Sequence, residues 1–293
     1  MRAGADSGGT FTDLVTASGE VSKVPSTPDD PGRAVREALE AALGEPPELL
    51  AHGTTVATNA LLQRRVARVA LVATEGFADV IEIARQDRPS LYDQWADRPE
   101  PLVARSDRLE VAGRLAADGS EVTPLDADGV PEPAGGVEAV AVSLLHADLS
   151  GVHEAAVAAV LRSRGWDVTV SSEVGPEFRE YERTSTAVVN AALRPVCADY
   201  LAGLAGAAAE VLVMTSAGAL VELPRAEAVP AALLLSGPAA GARAAALVAG
   251  ACGFADAVGF DMGGTSTDVC LVLSGEPAVS AQHEVAGFPV RLP

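Results

Sequence analysis

Lysine is almost absent from this sequence: Lys23 is the single one in 293 residues. That excludes two common routes to nucleotide phosphates, since a P-loop needs a lysine after its second glycine and a kinase-type site needs one on a strand. Cationic surplus is missing too. With 21 Lys and Arg against 40 Asp and Glu, the net charge is -19, so neither nucleic acid nor an anionic membrane is an expected partner. Phosphate charge must then be met by backbone N–H groups, hydroxyls, arginine or a metal ion. Aromatic residues make up only 4% of the chain, so the core must be built from Ala, Val and Leu. The three cysteines, Cys197, Cys252 and Cys270, lie far apart without a CxxC pair, and they read as buried small hydrophobes in a reducing compartment. The N-terminus reaches Asp6 before any apolar run, which argues against a secretory signal. The most apolar stretch, 226–250, is interrupted by Pro230, Pro238 and Arg243 and cannot make a simple spanning helix. A cytoplasmic location is the expectation.

What the sequence does have is a repeat. Asp6-Ser7-Gly8-Gly9-Thr10-Phe11-Thr12-Asp13 returns as Asp261-Met262-Gly263-Gly264-Thr265-Ser266-Thr267-Asp268, with six of eight positions identical. Each copy sits between apolar runs that predict strands, so each predicts a hairpin. The glycines allow successive N–H groups to converge as a nest for phosphate oxygens. The cofactor-binding candidates are therefore Gly8, Gly9, Thr10 and Thr12 in the first copy, and Gly263, Gly264, Thr265 and Thr267 in the second. A carboxylate beside a phosphate implies a cation, and Mg²⁺ takes one or two carboxylates plus phosphates and waters. Asp6, Asp13, Asp261 and Asp268 are the metal candidates.

Around the repeat the pattern predicts α/β alternation. Residues 3–24 read as a three-stranded meander, followed by a helix over 32–43 with Asp30 as N-cap and Pro31 at N1. Leu49 to His52 forms a strand that runs through Gly53-Thr54-Thr55 into a helix over 56–63; this arrangement suits either an anion site or simple capping. His52 is the candidate proton-transfer residue there, with a structural role at the strand end as the alternative. An apolar strand over 66–73 precedes a helix over 76–84. Residues 85–135, rich in proline and charge, read as an inserted lobe. Strands over 137–145 and 168–173 alternate with helices over 151–164 and 177–205, the last expected to kink or break at Pro195. A strand over 211–214, the turn Ser236-Gly237-Pro238 and a small-residue helix over 239–250 lead to the second hairpin.

Paired Asp-x-Gly-Gly-Thr hairpins resemble the two phosphate loops of the actin-like ATPase superfamily. Five ordered motifs narrow the resemblance: Asp6 to Asp13, His52 to Ala60, Arg179 to Thr186, Ser236 to Gly241, and Phe260 to Asp268. Together they look like the hydantoinase/oxoprolinase family, which includes the A subunit of N-methylhydantoinase, the N-terminal part of 5-oxoprolinase and the β subunit of acetone carboxylase. The resemblance implies an α/β, actin-like (ribonuclease H-like) fold with a complete first domain over 1–199, carrying the insertion at about 85–135, and a partial second domain over 200–293. It also implies ATP and Mg²⁺ as cofactors and a cyclic amide such as hydantoin or 5-oxoproline as substrate, opened after phosphorylation of its carbonyl oxygen. Asp6, Asp261 and His52 are then the catalytic candidates. A hydantoinase B-like subunit, or a C-terminal half beyond this sequence, is the implied partner. The alternatives are a nucleotide-binding or assembly module, an acetone carboxylase β-like subunit, and an actin-like sugar or acid kinase.

Overall fold

The computed structural model describes residues 1–27, 30–262 and 267–292. Along the chain run β1 (Arg2–Ser7), β2 (Phe11–Thr16), β3 (Val21–Pro25), α1 (Pro31–Leu43), β4 (Leu49–Thr54) and α2 (Val56–Leu62). They are followed by β5 (Val69–Thr74), α3 (Val80–Ile83), β6 (Arg108–Val111), β7 (Arg114–Leu115), β8 (Glu121–Thr123) and β9 (Ala139–Ser143). Next come α4 (Val152–Ser163), β10 (Val168–Val170), α5 (Ser171–Val174), α6 (Glu180–Ala202), β11 (Glu210–Met214) and β12 (Leu220–Glu222). The last are α7 (Leu223–Ala228), α8 (Ser236–Ala251), β13 (Ala257–Met262), β14 (Thr267–Leu273), β15 (Glu276–Pro277), β16 (His283–Val285) and β17 (Phe288–Val290).

Chain contacts group these into two compact units. The first comprises Met1–Ala60 and Cys197–Ala281; the second comprises Leu61–Val196 and Gln282–Leu292. In the first unit the strand order is β12-β11-β4-β1-β2-β3, with β1, β2 and β3 an antiparallel meander and β4 and β11 parallel additions. This is the mixed α/β arrangement expected of a ribonuclease H-like sheet. Alternate residues of β1 and β2 are buried, the period-2 pattern of a sheet packed on one face. Helix α1 covers that sheet. Asp30 accepts the Arg33 N–H at 3.0 Å, Pro31 occupies the first turn, and Gly44, at φ 70°, closes the helix by donating to Glu40. Ala34, Val35, Ala38 and Leu39 form its buried stripe. The sheet draws β11 and β12 from beyond residue 199, where the sequence predicts the second domain to begin. β11 lies against β4 by parallel pairing, and Leu61–Val196, between the two strands in the chain, supplies most of the second unit.

The second unit is a parallel sheet in the order β10-β9-β5-β6. Every residue of β5 and β9 is buried, as a parallel strand covered on both faces requires. β6, from the middle of the predicted 85–135 lobe, is an edge strand of this sheet rather than part of a separate excursion. The helix predicted over 76–84 shortens to Val80–Ile83, bounded by positive φ at Gly76 and Ala84. Helix α6 runs unbroken past Pro195, contrary to the expected break. In the turn before the proline, the Ala192 carbonyl takes the Ala67 N–H at 3.0 Å, so that part of the helix backbone finds a donor elsewhere.

A separate three-stranded sheet, β13-β14-β15, belongs to the first unit and packs against α8. α8 begins at Ser236, so Ser236-Gly237-Pro238 is its first turn instead of a preceding loop; a proline costs nothing there because the first-turn N–H groups have no intrahelical acceptor. Leu247, Val248, Phe260, Met262, Val269 and Leu271 are exposed on this part of the chain. Cys197 is buried, with its thiol pushed up to about 12 by desolvation, whereas Cys252 is exposed and Cys270 half-buried. The expectation of three buried cysteines therefore holds for one. Among the described residues no helix is long and apolar enough to cross a membrane.

Candidate functional site: the first hairpin and its supports

The strand register lines up four residues across the first sheet. Gly53 on β4 pairs with Asp6 on β1, Asp6 with Asp13 on β2, and Asp13 with Lys23 on β3. Cross-strand partners share a face, so two carboxylates stand side by side at the mouth of the Gly8-Gly9-Thr10 turn. Burial raises the Asp6 carboxyl above its ordinary value, and the charge of Asp13 raises it further. The only lysine of the chain sits beside Asp13, with Nζ 3.0 Å from Oδ1. Asp6 has no such counterion in this row, and a Cβ on residue 53 would lie 2.8 Å from its Oδ1. Glycine at 53 is thus what lets that carboxylate lie over the strand. A repelled, partly desolvated carboxylate pair at a glycine turn fits a divalent cation, which would be held by Asp6 with Asp13 in support.

The turn is anchored from beneath. Gly8 N–H donates to the Phe11 carbonyl at 3.0 Å, closing the hairpin. Thr55 holds the Ser7 carbonyl twice, through its N–H and its hydroxyl, both at 3.1 Å, and the Asn59 amide donates to the Thr55 hydroxyl at 3.1 Å. Thr54 caps α2 through the Val56 N–H at 3.2 Å, while its own carbonyl accepts the Ser236 hydroxyl at 3.1 Å. Leu235 N–H reaches the Thr58 hydroxyl at 3.1 Å. The start of α8 is therefore fastened to the start of α2, and α8 also contacts β13 and β14.

Gly9 and Thr10 are exposed at the turn, but Thr12 is fully buried. The Thr12 hydroxyl lies 3.3 Å from that of Ser7 and 3.1 Å from that of Ser26. It faces the interior rather than a ligand, as period-2 alternation from exposed Phe11 dictates. His52 is also fully buried. Its Nε2 is hydrogen-bonded to the buried Tyr200 hydroxyl. Burial drives the imidazole down to about 4, with the Ala5 backbone opposing, so the ring is neutral at pH 7. Burial likewise pushes the Tyr200 phenol up to about 12, with hydrogen bonding by Thr54 and Ser7 pulling it back. In this geometry His52 braces Tyr200 and meets no solvent.

In the second hairpin Asp261 pairs with Asp268, and Met262 with Thr267, in the same register as Asp6 with Asp13 and Ser7 with Thr12. Asp261, Thr267 and Asp268 are exposed; Gly263, Gly264 and Thr265 lie outside the described residues. Among the described residues no group of three or more His, Cys, Asp or Glu gathers as a metal site, so the four aspartates stand as two pairs.

Two family models divide the chain between them. The one described as the hydantoinase/oxoprolinase N-terminal region matches residues 2–165, and the one described as hydantoinase/oxoprolinase matches residues 183–293. The chain belongs to the hydantoinase/oxoprolinase family. An uncharacterised protein of Methanocaldococcus jannaschii is 37% identical over 100% of this chain and 48% of its own length. Caprolactamase subunit alpha of Pseudomonas jessenii is 36% identical over 100% of this chain and 46% of its own length. The crystal structure of the ATP-dependent caprolactamase from that organism superposes with a TM-score of 0.82 at 30% identity, covering 100% of this chain and 47% of that one. Nucleotide-free acetone carboxylase matches with a TM-score of 0.84 at 23% identity, covering 100% and 46%, and shares the fold. This hydantoinase/oxoprolinase chain spans about half the length of the curated relatives it matches.

The sequence named Thr55 and Ser236 within their turns, but Asn59, Ser26 and Tyr200 were not singled out. Asn59 lies inside a recognisable motif, so a signal existed. Ser26 and Tyr200 carry none, because their contacts with the hairpin are made by tertiary packing alone. Within the motif over Arg179 to Thr186, Arg179 is exposed and Glu180 and Tyr181 are half-buried, whereas Glu182 to Thr186 lie in the interior of the second unit. Arg183 is buried and donates to the Leu144 carbonyl at 2.8 Å, the Glu177 carbonyl at 2.9 Å and the Ser171 hydroxyl at 3.1 Å. Glu182, also buried, accepts Arg85 Nε at 2.8 Å.

Proposed function

We propose that this chain is the nucleotide-handling part of an ATP-dependent cyclic amidase that opens a hydantoin- or 5-oxoproline-like ring after phosphorylating its carbonyl oxygen. The single observation that carries this reading is the matched register of the two hairpins, Asp6 with Asp13 and Asp261 with Asp268. The ATP-dependent caprolactamase among the relatives supports the reaction class. In this reading the six-stranded sheet is the core of the first actin-like domain and β13 to β15 open the second.

Each group has a role in the proposal. Gly8, Gly9 and Thr10 receive phosphate oxygens on the first hairpin, and Gly263, Gly264 and Thr265, with the Thr267 hydroxyl, on the second. Asp6 and Asp261 are the metal-side acids, with Asp13 and Asp268 in support. Bound Mg²⁺ would neutralise charge on the phosphates, the main electrostatic need of phosphoryl transfer. The γ-phosphoryl group passes to the amide oxygen and ADP leaves. Water then adds to the activated carbon, the C–N bond breaks as the ring nitrogen takes up a proton, and a second water hydrolyses the resulting acyl phosphate to carboxylate and phosphate. His52 supports the hairpin from below through Tyr200, and Thr12 does so through Ser7 and Ser26. A hydantoinase B-like subunit or a C-terminal half completes the enzyme, in the cytoplasm.

The second reading is an assembly module that holds nucleotide without turnover. The exposed apolar side chains of α8, β13 and β14 favour it, since a patch of that kind marks an interaction surface. Mg²⁺-dependent ATP hydrolysis, measured with hydantoin or 5-oxoproline for the chain alone and together with a B-like subunit, separates the two. Ring opening coupled to ATP hydrolysis and abolished by Asp6→Ala supports the enzyme. Nucleotide binding without turnover in either sample supports the module, and no binding at all sinks both.

A further inference from the structure

We infer that Ser26, which lies outside every motif of the sequence, is a positioning residue that aims the Gly9 N–H at the phosphate. The inference rests on the nucleotide-binding reading above. Ser26 follows the end of β3 and is half-buried beneath the turn. Its hydroxyl donates to the Gly8 carbonyl at 2.8 Å, and its N–H donates to the Thr10 carbonyl at 2.9 Å. One residue thus grips the carbonyls on both sides of Gly9.

The consequence follows from peptide geometry. The Gly8 carbonyl and the Gly9 N–H belong to one planar trans peptide unit and point in opposite directions. Pulling the Gly8 oxygen inward onto Ser26 turns the Gly9 N–H to the opposite side, away from the sheet interior. Glycine has no Cβ to restrain its peptide planes, so without such an anchor the Gly8–Gly9 plane is free to rotate. The anchor is itself held. The Ser26 hydroxyl lies 3.1 Å from Thr12 Oγ1, which lies 3.3 Å from Ser7 Oγ. With its hydrogen on the Gly8 carbonyl, the Ser26 hydroxyl is able to accept from Thr12, and Thr12 from Ser7.

The experiment compares wild type, Ser26→Ala and Ser26→Thr, using Mg–ATP as probe, with amide resonances read by ¹⁵N–¹H spectroscopy. Loss of a well-aimed hydrogen bond to a charged oxygen weakens binding about tenfold or more. Ser26→Ala is expected to raise the Mg–ATP Kd by about that factor and to move the Gly9 amide resonance in nucleotide-free protein. Ser26→Thr, which keeps the hydroxyl, is expected to restore both. An unmoved Gly9 resonance in Ser26→Ala overturns the proposal whether or not nucleotide binds, as does a moved resonance with unchanged Kd. If wild type binds no Mg–ATP while the Gly9 resonance responds as expected, the turn-setting role of Ser26 stands and the nucleotide reading falls. A measurement on wild type alone covers failure of Ser26→Ala to fold. The Gly9 amide must exchange rapidly with solvent when free and slow down with Mg–ATP bound, and a slowly exchanging Gly9 in the free protein overturns the proposal.

Discussion

If the first hairpin holds Mg–ATP as proposed, replacing Gly53 by alanine should leave the fold intact and weaken that binding. The added Cβ would stand 2.8 Å from Asp6 Oδ1, closer than carbon and oxygen pack, so the carboxylate must swing away. Gly53 lies in β4 and shows none of the positive φ that would strain an alanine. The substitution therefore gains about 0.4–1 kcal/mol by restricting the unfolded chain. Forcing Asp6 off its rotamer costs about 0.5–1.5 kcal/mol. These nearly cancel, and a net change within about 1 kcal/mol moves Tm by no more than about 4 °C. Binding has no such compensation. At ligand one hundred times the wild-type Kd, Mg–ATP stabilises by about 2.7 kcal/mol, and a tenfold weaker complex by about 1.4 kcal/mol at the same concentration. Thermal unfolding with and without Mg–ATP reads both numbers. Asp6→Asn is the companion variant: because the folded state raises the Asp6 pKa, the ionised carboxylate opposes folding at neutral pH. Its removal should raise the unliganded Tm at pH 7, with the gain fading as pH falls through the raised Asp6 value and gone by the ordinary Asp range. A Gly53→Ala protein with an undiminished Mg–ATP shift, or with unliganded stability reduced by several kcal/mol, would refute this account of why residue 53 is glycine.

His52, lowered from 6.5 to about 4 in the fold, binds its proton more readily when unfolded. The stability it contributes is present above pH 6.5 and is lost as pH falls through about 4, amounting to about 3 kcal/mol; His52→Gln should flatten that part of the pH–stability curve, and an unchanged curve would contradict the assignment of a neutral buried ring. Glu154, fully buried in the second unit, accepts from Leu144 N–H at 2.8 Å, the Ser171 hydroxyl at 2.6 Å, and the Ser172 N–H and hydroxyl at 2.9 and 2.7 Å. Glu154→Ala strands these donors and should destabilise that unit by about 3 kcal/mol or more. Proteolysis should then begin within residues 61–196, and cleavage confined to the first unit would count against it.

The hairpins were legible in the sequence because their chemistry is local: glycines, hydroxyls and acids at fixed spacing between apolar runs can do little else. The cap of α1 and the buried strands β5 and β9 were legible for the same reason. What lay beyond reach was tertiary. Nothing within Glu210–Met214 says that it will pair with Leu49–His52, since Leu61–Val196, most of the second unit, lies between them in the chain. Thr12 carries the same hydroxyl as Thr10, yet Thr10 lies in the turn before β2, whereas Thr12, one position after the exposed Phe11, faces inward. His52 offered a chemically attractive side chain in a motif, and only its burial against Tyr200 separates a brace from a proton carrier. Pro195 signalled a kink or break, yet the helix α6 continues through it to Ala202.

The ion pair between Lys23 and Asp13 has a practical side. Because Lys23 carries the only ε-amino group in the chain and remains half exposed, an amine-directed reagent finds one side-chain target, on the strand adjoining the paired aspartates. A cation held by Asp6 and Asp13, as proposed above, would compete with Lys23 for the Asp13 carboxylate. The labelling rate of a single native residue would then report whether the first hairpin is loaded.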